Sequence, residues 1–259
     1  MKLDIENKVA VVSAATQGIG FECALGLARE GARVAMFSRD AARLREAAAA
    51  LKSETGASVF TRAADLFDAD SIRAFFAAVK TEVGPAQILV ANSVGPPPGT
   101  FEAFSDLQWA AAFEGAFLST VRLVREALPQ MREAGGGAVV AIQSNSVRQP
   151  IPGLSLSNGV RPGVAGLMKS LAAEYGAHGI RFNVVCPGRI MTERFLTVEK
   201  SHGEPLDERI ARMAAEVPLR RLGVPAEVAD AALFLCSARA AYITGTVLSV
   251  DGGNLKGIH

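Results

Sequence analysis

Seven short runs rich in Val, Ile and Ala alternate along this chain with longer helical patterns, and that rhythm constrains the fold more than any other feature. The runs are residues 9–13, 33–38, 58–62, 88–92, 138–144, 181–186 and 246–250; the helical patterns include 21–29, 41–54, 71–83, 107–131, 164–175 and 226–236. Strands apolar on both faces cannot leave one face in water. They predict an α/β fold in which a seven-stranded parallel sheet is flanked by helices on both faces. With 259 residues, 49% of them hydrophobic, a single large domain with a substantial core is expected. Residues 189–218 break the rhythm and carry few strand signals, which marks them as a substrate lid or binding loop.

Charge and cysteine usage remove several classes of partner. Net charge is +1 and charged residues make up 20%, so neither nucleic acid nor an anionic membrane surface is expected. No apolar stretch approaches the roughly 20 residues needed to span a bilayer. The opening Met1-Lys2-Leu3-Asp4-Ile5-Glu6 mixes charges of both signs, unlike a secretory leader. Cys23, Cys186 and Cys236 are odd in number and widely spaced, which fits buried thiols in a reducing cytosol better than a disulfide framework or a zinc site. A soluble cytoplasmic protein acting on a small molecule is the expectation.

The first strand leads into Ala14-Ala15-Thr16-Gln17-Gly18-Ile19-Gly20 and then a helix. A glycine there lets the backbone approach a pyrophosphate, whose negative charge the helix N-terminus favours. Alone, the turn is equally a nucleotide site or a plain tight turn. The second strand ends Phe37-Ser38-Arg39. An acid at that point would bind the ribose hydroxyls of NAD; Ser38 removes it, and Arg39 offers charge-assisted bonds to a 2′-phosphate, or else is a solvated residue opening the next helix. Asp65-Leu66 after the third strand either holds adenine or caps a helix.

In this order the pieces resemble the short-chain dehydrogenase/reductase superfamily, from about Lys8 to Asn254. The resemblance is carried by Gln17-Gly18-Ile19-Gly20, Ala91-Asn92-Ser93-Val94-Gly95, Gly179-Ile180-Arg181-Phe182-Asn183, Cys186-Pro187-Gly188-Arg189-Ile190-Met191-Thr192 and Tyr242-Ile243-Thr244-Gly245, with Val250-Asp251-Gly252-Gly253 closing the series. It looks most like members of the 3-oxoacyl-carrier-protein reductase type. The resemblance implies a Rossmann fold and a nicotinamide cofactor, NADP(H) favoured with NAD left open. It assigns cofactor contacts to Ser13, Thr16, Gln17, Gly18, Ile19, Gly20, Ser38, Arg39, Asp65, Leu66, Asn92, Ser93, Arg161, Pro187, Gly188, Ile190 and Thr192, the last segment facing the nicotinamide carboxamide. It also implies a homodimer or homotetramer.

The departures from the family pattern concern the chemistry. Ser13 and Ala14 stand where the family has Thr and Gly, and about Ala116 where it has Asn. Ser144 matches the active-site serine, but Ser157 and Arg161 occupy the positions of the Tyr-x-x-x-Lys pair. Carbonyl reduction needs a hydride and a proton for the developing alkoxide, and a phenol pulled below its pKa near 10 suits the second task. A serine hydroxyl is far less acidic, and Arg161 releases no proton near neutral pH. The expected catalytic set is therefore Ser144, Ser157 and Arg161, with a water as proton source and Arg161 gripping ribose hydroxyls and stabilising negative charge. Three readings stay open: an oxidoreductase with an atypical proton path, a cofactor-binding protein without turnover, and a non-redox enzyme reusing the pocket.

Pro162 is tolerated in the first turn of a helix and costs about 3 kcal/mol in its interior. The helix is therefore expected to begin near Asn158–Gly159, leaving Ser157 in a loop or as a cap. Pro96-Pro97-Pro98 should stiffen the loop after the fourth strand, Trp109 should pack the long helix, and Tyr175 and Tyr242 should be structural. Arg148 is either an anion ligand or a surface arginine. Glu193, Arg194, Glu199, Lys200, His202 and Glu204 lie in or beside the lid, with His202 able to titrate near neutral pH.

Overall fold

The computed structural model describes residues 2–200, 203 and 205–257. Its strands are β1 (Val9–Ser13), β2 (Arg33–Phe37), β3 (Phe60–Thr61), β4 (Ile88–Ala91), β5 (Gly137–Ile142), β6 (Ile180–Pro187) and β7 (Val247–Val250). The helices are α1 (Gly18–Arg29), α2 (Ala41–Thr55), α3 (Ala69–Glu82), α4 (Asp106–Phe113), α5 (Ser119–Glu133), α6 (Ser155–Tyr175), α7 (Glu193–Lys200), α8 (Leu206–Glu216) and α9 (Pro225–Cys236). The strands form one sheet in the order β3-β2-β1-β4-β5-β6-β7, parallel throughout.

Alternation along the strands builds two cores. Ala10 and Val12 of β1 face Cys23 and Leu27 of α1, Leu44 and Leu51 of α2, and Val228 and Leu233 of α9. Val9 and Val11 face Phe75 and Phe76 of α3, Leu123 and Met131 of α5, and Val164 and Met168 of α6. The three cysteines are free and buried, and burial pushes the Cys186 thiol up to about 11. The chain leaves β1 toward β2 on one side and later returns to β4 on the other, so a crevice opens at the carboxyl ends of these two strands. No helix among the described residues is long and apolar enough to cross a membrane.

Three sequence expectations need correction. The run 58–62 shrinks to two residues, because β3 is an edge strand paired only with β2. The pattern 107–131 is not one helix: a π turn, Glu114–Leu118, separates α4 from α5. The wider turn frees carbonyls, and the Ser119 hydroxyl donates to Gly115 O at 2.7 Å and Thr120 to Ala116 O at 3.1 Å. The third correction concerns α6. It begins at Ser155, not near Asn158–Gly159, so Ser157 lies inside the first turn and is neither loop nor cap.

Pro162 thus sits two turns into α6 and forfeits one helical bond. Contacts distant in sequence or outside the helix offset that cost. The Ser155 N–H donates to Gly99 O at 3.2 Å, and Gly99 N–H to Gly153 O at 2.6 Å, so the stiff proline loop is stitched to the start of the helix. The Asn158 amide closes a ring on Ile151, donating to its carbonyl at 2.9 Å and accepting from its N–H at 3.0 Å. Trp109 packs over Gly159, where a Cβ would stand 2.7 Å from the indole. Leu156, Val160 and Val164 are buried beneath. Asn158→Ala should therefore cost about 2 kcal/mol, read by denaturant unfolding, because both Ile151 backbone groups lose a partner.

Candidate active site

The β1–α1 turn is built tightly enough to receive a phosphate backbone. Ala14 adopts φ 48°, a left-handed conformation that costs an alanine about 1–2 kcal/mol. Gly18 opens α1 at φ 58°, and the Gln17 N-cap makes no side-chain bond to the helix, so the first-turn N–H groups are free of a side-chain cap. A Cβ at Gly20 would press on the Ala14 carbonyl and stand 2.7 Å from Asn92 Nδ2. Gln17 instead accepts from Arg43 Nη1 at 3.3 Å. Thr16 and Ile19 complete the turn, both half-buried.

Ser13 and Asn92 pin the crevice walls together. The Ser13 hydroxyl donates to Asn92 O at 2.7 Å and accepts from Asn92 N–H at 2.9 Å, while Asn92 Nδ2 donates to Ala14 O at 3.2 Å. Ser93 presents a buried hydroxyl with no partner. Along the outer rim, the Ser38 hydroxyl accepts from Asp40 N–H at 3.3 Å and Arg39 is exposed. Asp65 accepts from Phe67 N–H at 3.0 Å through one oxygen, next to the buried Leu66. This bond closes a turn ahead of α3, whose N-cap is Asp68 and not Asp65, and the second Asp65 carboxylate oxygen carries none of these bonds.

Beyond β6, Gly188 N–H donates to Val250 O at 3.0 Å, against Asp251 where no side chain would fit. Ile190 is buried and bridges Gly223, bringing Thr192 Cγ2 to 3.4 Å from the position a Gly18 Cβ would take. The Pro187–Thr192 segment thus closes over the phosphate turn. It is braced by Glu227, which accepts from Val224 N–H at 2.9 Å and pairs with Arg221. The hydrogen bond from Arg221, with help from Val224 N–H, holds the Glu227 carboxyl down to about 2. A lowered folded pKa adds stability that is present above the ordinary carboxylate range and lost as pH falls toward 2. Glu227→Gln should therefore flatten the acid limb of a stability-versus-pH curve between about pH 4.5 and 2 and leave neutral-pH stability less changed by acidification.

On the other wall stand the proposed reacting groups. Ser157 and Arg161 lie one turn apart on the buried face of α6, each 6% exposed. The Ser157 hydroxyl is 2.9 Å from that of Ser146, which sequence reasoning passed over. Ser144 caps the short turn that carries Ser146, accepting from its N–H at 3.2 Å. Ser146 could have been suspected only as a second hydroxyl two residues past Ser144. Arg161 Nη1 donates to Gln143 Oε1 at 3.1 Å, and burial pushes its guanidinium down to about 10, still a cation at neutral pH. Ala116 is buried at the π turn among Ala112, Leu156 and Val160, so this position packs and offers no polar group.

Other candidates fall elsewhere. Arg148 donates to the Val247 carbonyl and is held by β7. Tyr175 packs with Phe182 and under Arg132 at the far end of α6, and Tyr242 is fully exposed. In the lid, Arg209 Nε donates to Glu199 at 2.9 Å, tying α7 to α8. Glu193 and Lys200 are exposed, and His202 and Glu204 lie outside the described residues. Among the described lid residues Arg194 reaches across, donating to Gly95 O at 2.6 Å and Pro96 O at 3.3 Å.

Comparison with known proteins is consistent with this geometry. The family described as Enoyl-(Acyl carrier protein) reductase matches residues 13–254. Human dehydrogenase/reductase SDR family member 4 is 34% identical over 252 residues, 96% of this chain and 88% of that protein. A putative ketoacyl reductase from Streptomyces coelicolor is 32% identical, covering 96% and 97%. L-sorbose reductase from Gluconobacter frateurii, solved with NADPH and L-sorbose, superposes with a TM-score of 0.95 at 33% identity over both whole chains. An NADPH-bound short chain oxidoreductase from Pseudomonas aeruginosa, described as containing an atypical catalytic center, gives 0.93 at 34% identity, covering 98% and 99%. The chain belongs to the short-chain dehydrogenase/reductase family of oxidoreductases.

Proposed function

We propose that this protein is an NADPH-dependent reductase of a carbonyl compound in which Ser157, Ser146 and Arg161 take over the work of the family's tyrosine and lysine. The observation that carries this reading is the Ser157–Ser146 hydroxyl pair and the buried Arg161 guanidinium one turn along α6, beside Gly95 in the loop after β4. The residues fit a dinucleotide: the α1 N-terminus has no side-chain cap, Ser93 Oγ lacks a partner, and Gly20 leaves room only for backbone. The first turn of α1 and Thr192 would hold the pyrophosphate, Asp65 and Leu66 the adenine, and Arg39 a 2′-phosphate. The NADPH-bound relatives support that choice of cofactor. Arg39→Ala should narrow the preference for NADPH over NADH about tenfold, measured as the ratio of dissociation constants.

NADPH, when bound, would supply the hydride needed at the carbonyl carbon. Ser157 donates its proton toward the carbonyl oxygen, and the Ser146 hydroxyl passes one to Ser157, with water as the final source. Arg161, one turn along α6, adds a positive potential that favours the negative charge gathering on that oxygen. Ser144 positions the turn bearing Ser146. The test is NADPH consumption across a panel of ketones, 3-oxo acids and 3-oxoacyl thioesters. Carbonyl-dependent oxidation is expected; tight NADPH binding with no turnover on any member would overturn the reading in favour of a cofactor-binding protein. Self-association is also proposed, through α9 and the edge strand β7 with its exposed Leu248, the surfaces to which the family resemblance points. A sizing measurement should give two or four chains.

A further inference from the structure

Two guanidinium groups converge on one backbone point beside the reacting hydroxyls. A Cβ placed on Gly95 would stand 3.1 Å from Arg161 Nη2 and 3.8 Å from both terminal nitrogens of Arg194. The two arginines come from different elements, α6 and the lid helix α7. Arg194 spends one nitrogen on the carbonyls of Gly95 and Pro96, and Arg161 spends one on Gln143. Among the described residues, neither pairs with a carboxylate. Gln143 adds a third donor: it is 5% exposed, and its buried Nε2 has no partner.

Arg161 is buried and Arg194 is exposed beside it; their like charges repel, and a buried unused donor costs further free energy. An anion at this point relieves both. The Gly95 and Pro96 carbonyl oxygens, which are what Arg194 meets among the described residues, neutralise nothing. The pyrophosphate has its own donors at the α1 N-terminus beside Thr192, whereas Arg161 follows Ser157 by one helical turn on α6. An anion held by Arg161 therefore sits on the same buried face of α6 that presents Ser157, an arrangement that suits two functional groups of one short molecule.

We propose that Arg161 and Arg194 form a carboxylate subsite, and that the substrate is a short oxo acid whose carboxylate bridges the two guanidiniums while its carbonyl faces Ser157. The substrate assignment rests on the reductase reading; the anion subsite does not. Charge-assisted, bidentate bonds are the natural form of such a contact. Because Arg194 belongs to the lid, the substrate's own charge would fasten α7 over the site.

Calorimetric titration in the presence of saturating NADP⁺, which cannot reduce a carbonyl, separates binding from turnover. The probes are 3-oxobutanoate and its methyl ester. The acid should bind at least about tenfold tighter than the ester, and Arg194→Gln should abolish that difference while NADP⁺ affinity stays within about twofold. Arg161→Lys, which keeps the buried charge, should retain part of the preference. Equal binding of acid and ester, or no binding of either, overturns the subsite. So does an Arg194→Gln loss that appears in NADP⁺ affinity, since the guanidiniums would then serve the cofactor. If the acid is preferred yet NADPH is never consumed, the subsite stands and the reductase reading falls.

Discussion

Removing the Ser157 hydroxyl should lower kcat about 10²-fold and leave the NADPH dissociation constant nearly unchanged. A positioned proton donor contributes about 10² to 10⁴ in rate, and a hydroxyl backed by a second hydroxyl belongs at the lower end of that range because serine is a weak acid. Ser157→Ala removes one methyl-sized polar atom from a buried face and leaves Ser146 without its 2.9 Å partner. A stability loss of about 1 kcal/mol should accompany the kinetic one. Ser146→Ala, by contrast, leaves the direct donor in place and should cost less than Ser157→Ala. The ratio of the two defects distinguishes a relay from a purely structural hydroxyl pair: a structural pair would lose stability equally in both variants and lose no kcat. Serine does not titrate near neutral pH, so kcat should show no phenol-like dependence.

Gly20→Val should raise the NADPH dissociation constant about 10- to 100-fold, the largest binding defect expected of a single substitution here. The glycine's missing Cβ is the space occupied by the Ala14 carbonyl, with Asn92 Nδ2 only 2.7 Å away. Neither neighbour is the free end of a flexible chain: one is backbone, and the other is fixed by its bond to that same carbonyl. The β1–α1 turn must therefore shift, and overpacking of this kind costs about 1–3 kcal/mol. Because Asn92 also anchors the Ser13 hydroxyl, the displacement spreads across the crevice from β1 to β4. Fluorescence titration of NADPH reads the effect, and an unchanged dissociation constant would show that the turn does not receive the pyrophosphate.

The sheet and its two helical layers were legible in the sequence because five of the seven strands are buried on both faces, a condition that local composition reports directly. The phosphate turn was legible for a similar reason: Gly18 and Gly20 do their work within a few residues of one another. What failed depends on contacts between distant segments. Pro162 carried a sound local rule, but α6 takes its start from Gly99, Trp109 and the Asn158–Ile151 ring. The π turn at Glu114–Leu118 is held by hydroxyls whose helical positions look ordinary in sequence. Ser146 and Gln143 stayed unnoticed because no family pattern points at them. Arg194 was visible only as one of several lid charges, and its convergence with Arg161 on Gly95 required the fold.

These corrections sharpen the chemistry. The absence of Tyr and Lys from positions 157 and 161 of α6 leaves a hydroxyl pair, a buried cation and a second arginine reaching in from the lid. Such a set is poorly suited to supply an acidic proton and well suited to hold a charged substrate in place. Proximity and charge stabilisation would then carry more of the rate than proton donation does.

Transfer of deuterium from NADPH labelled at the transferable C4 position tests the central claim most directly. With an oxo acid as acceptor, mass spectrometry should find one deuterium on the carbinol carbon of the product, formed by the wild-type protein and about 10²-fold more slowly by Ser157→Ala. NADPH bound tightly by the wild type with no deuterium passed to any carbonyl acceptor would contradict it.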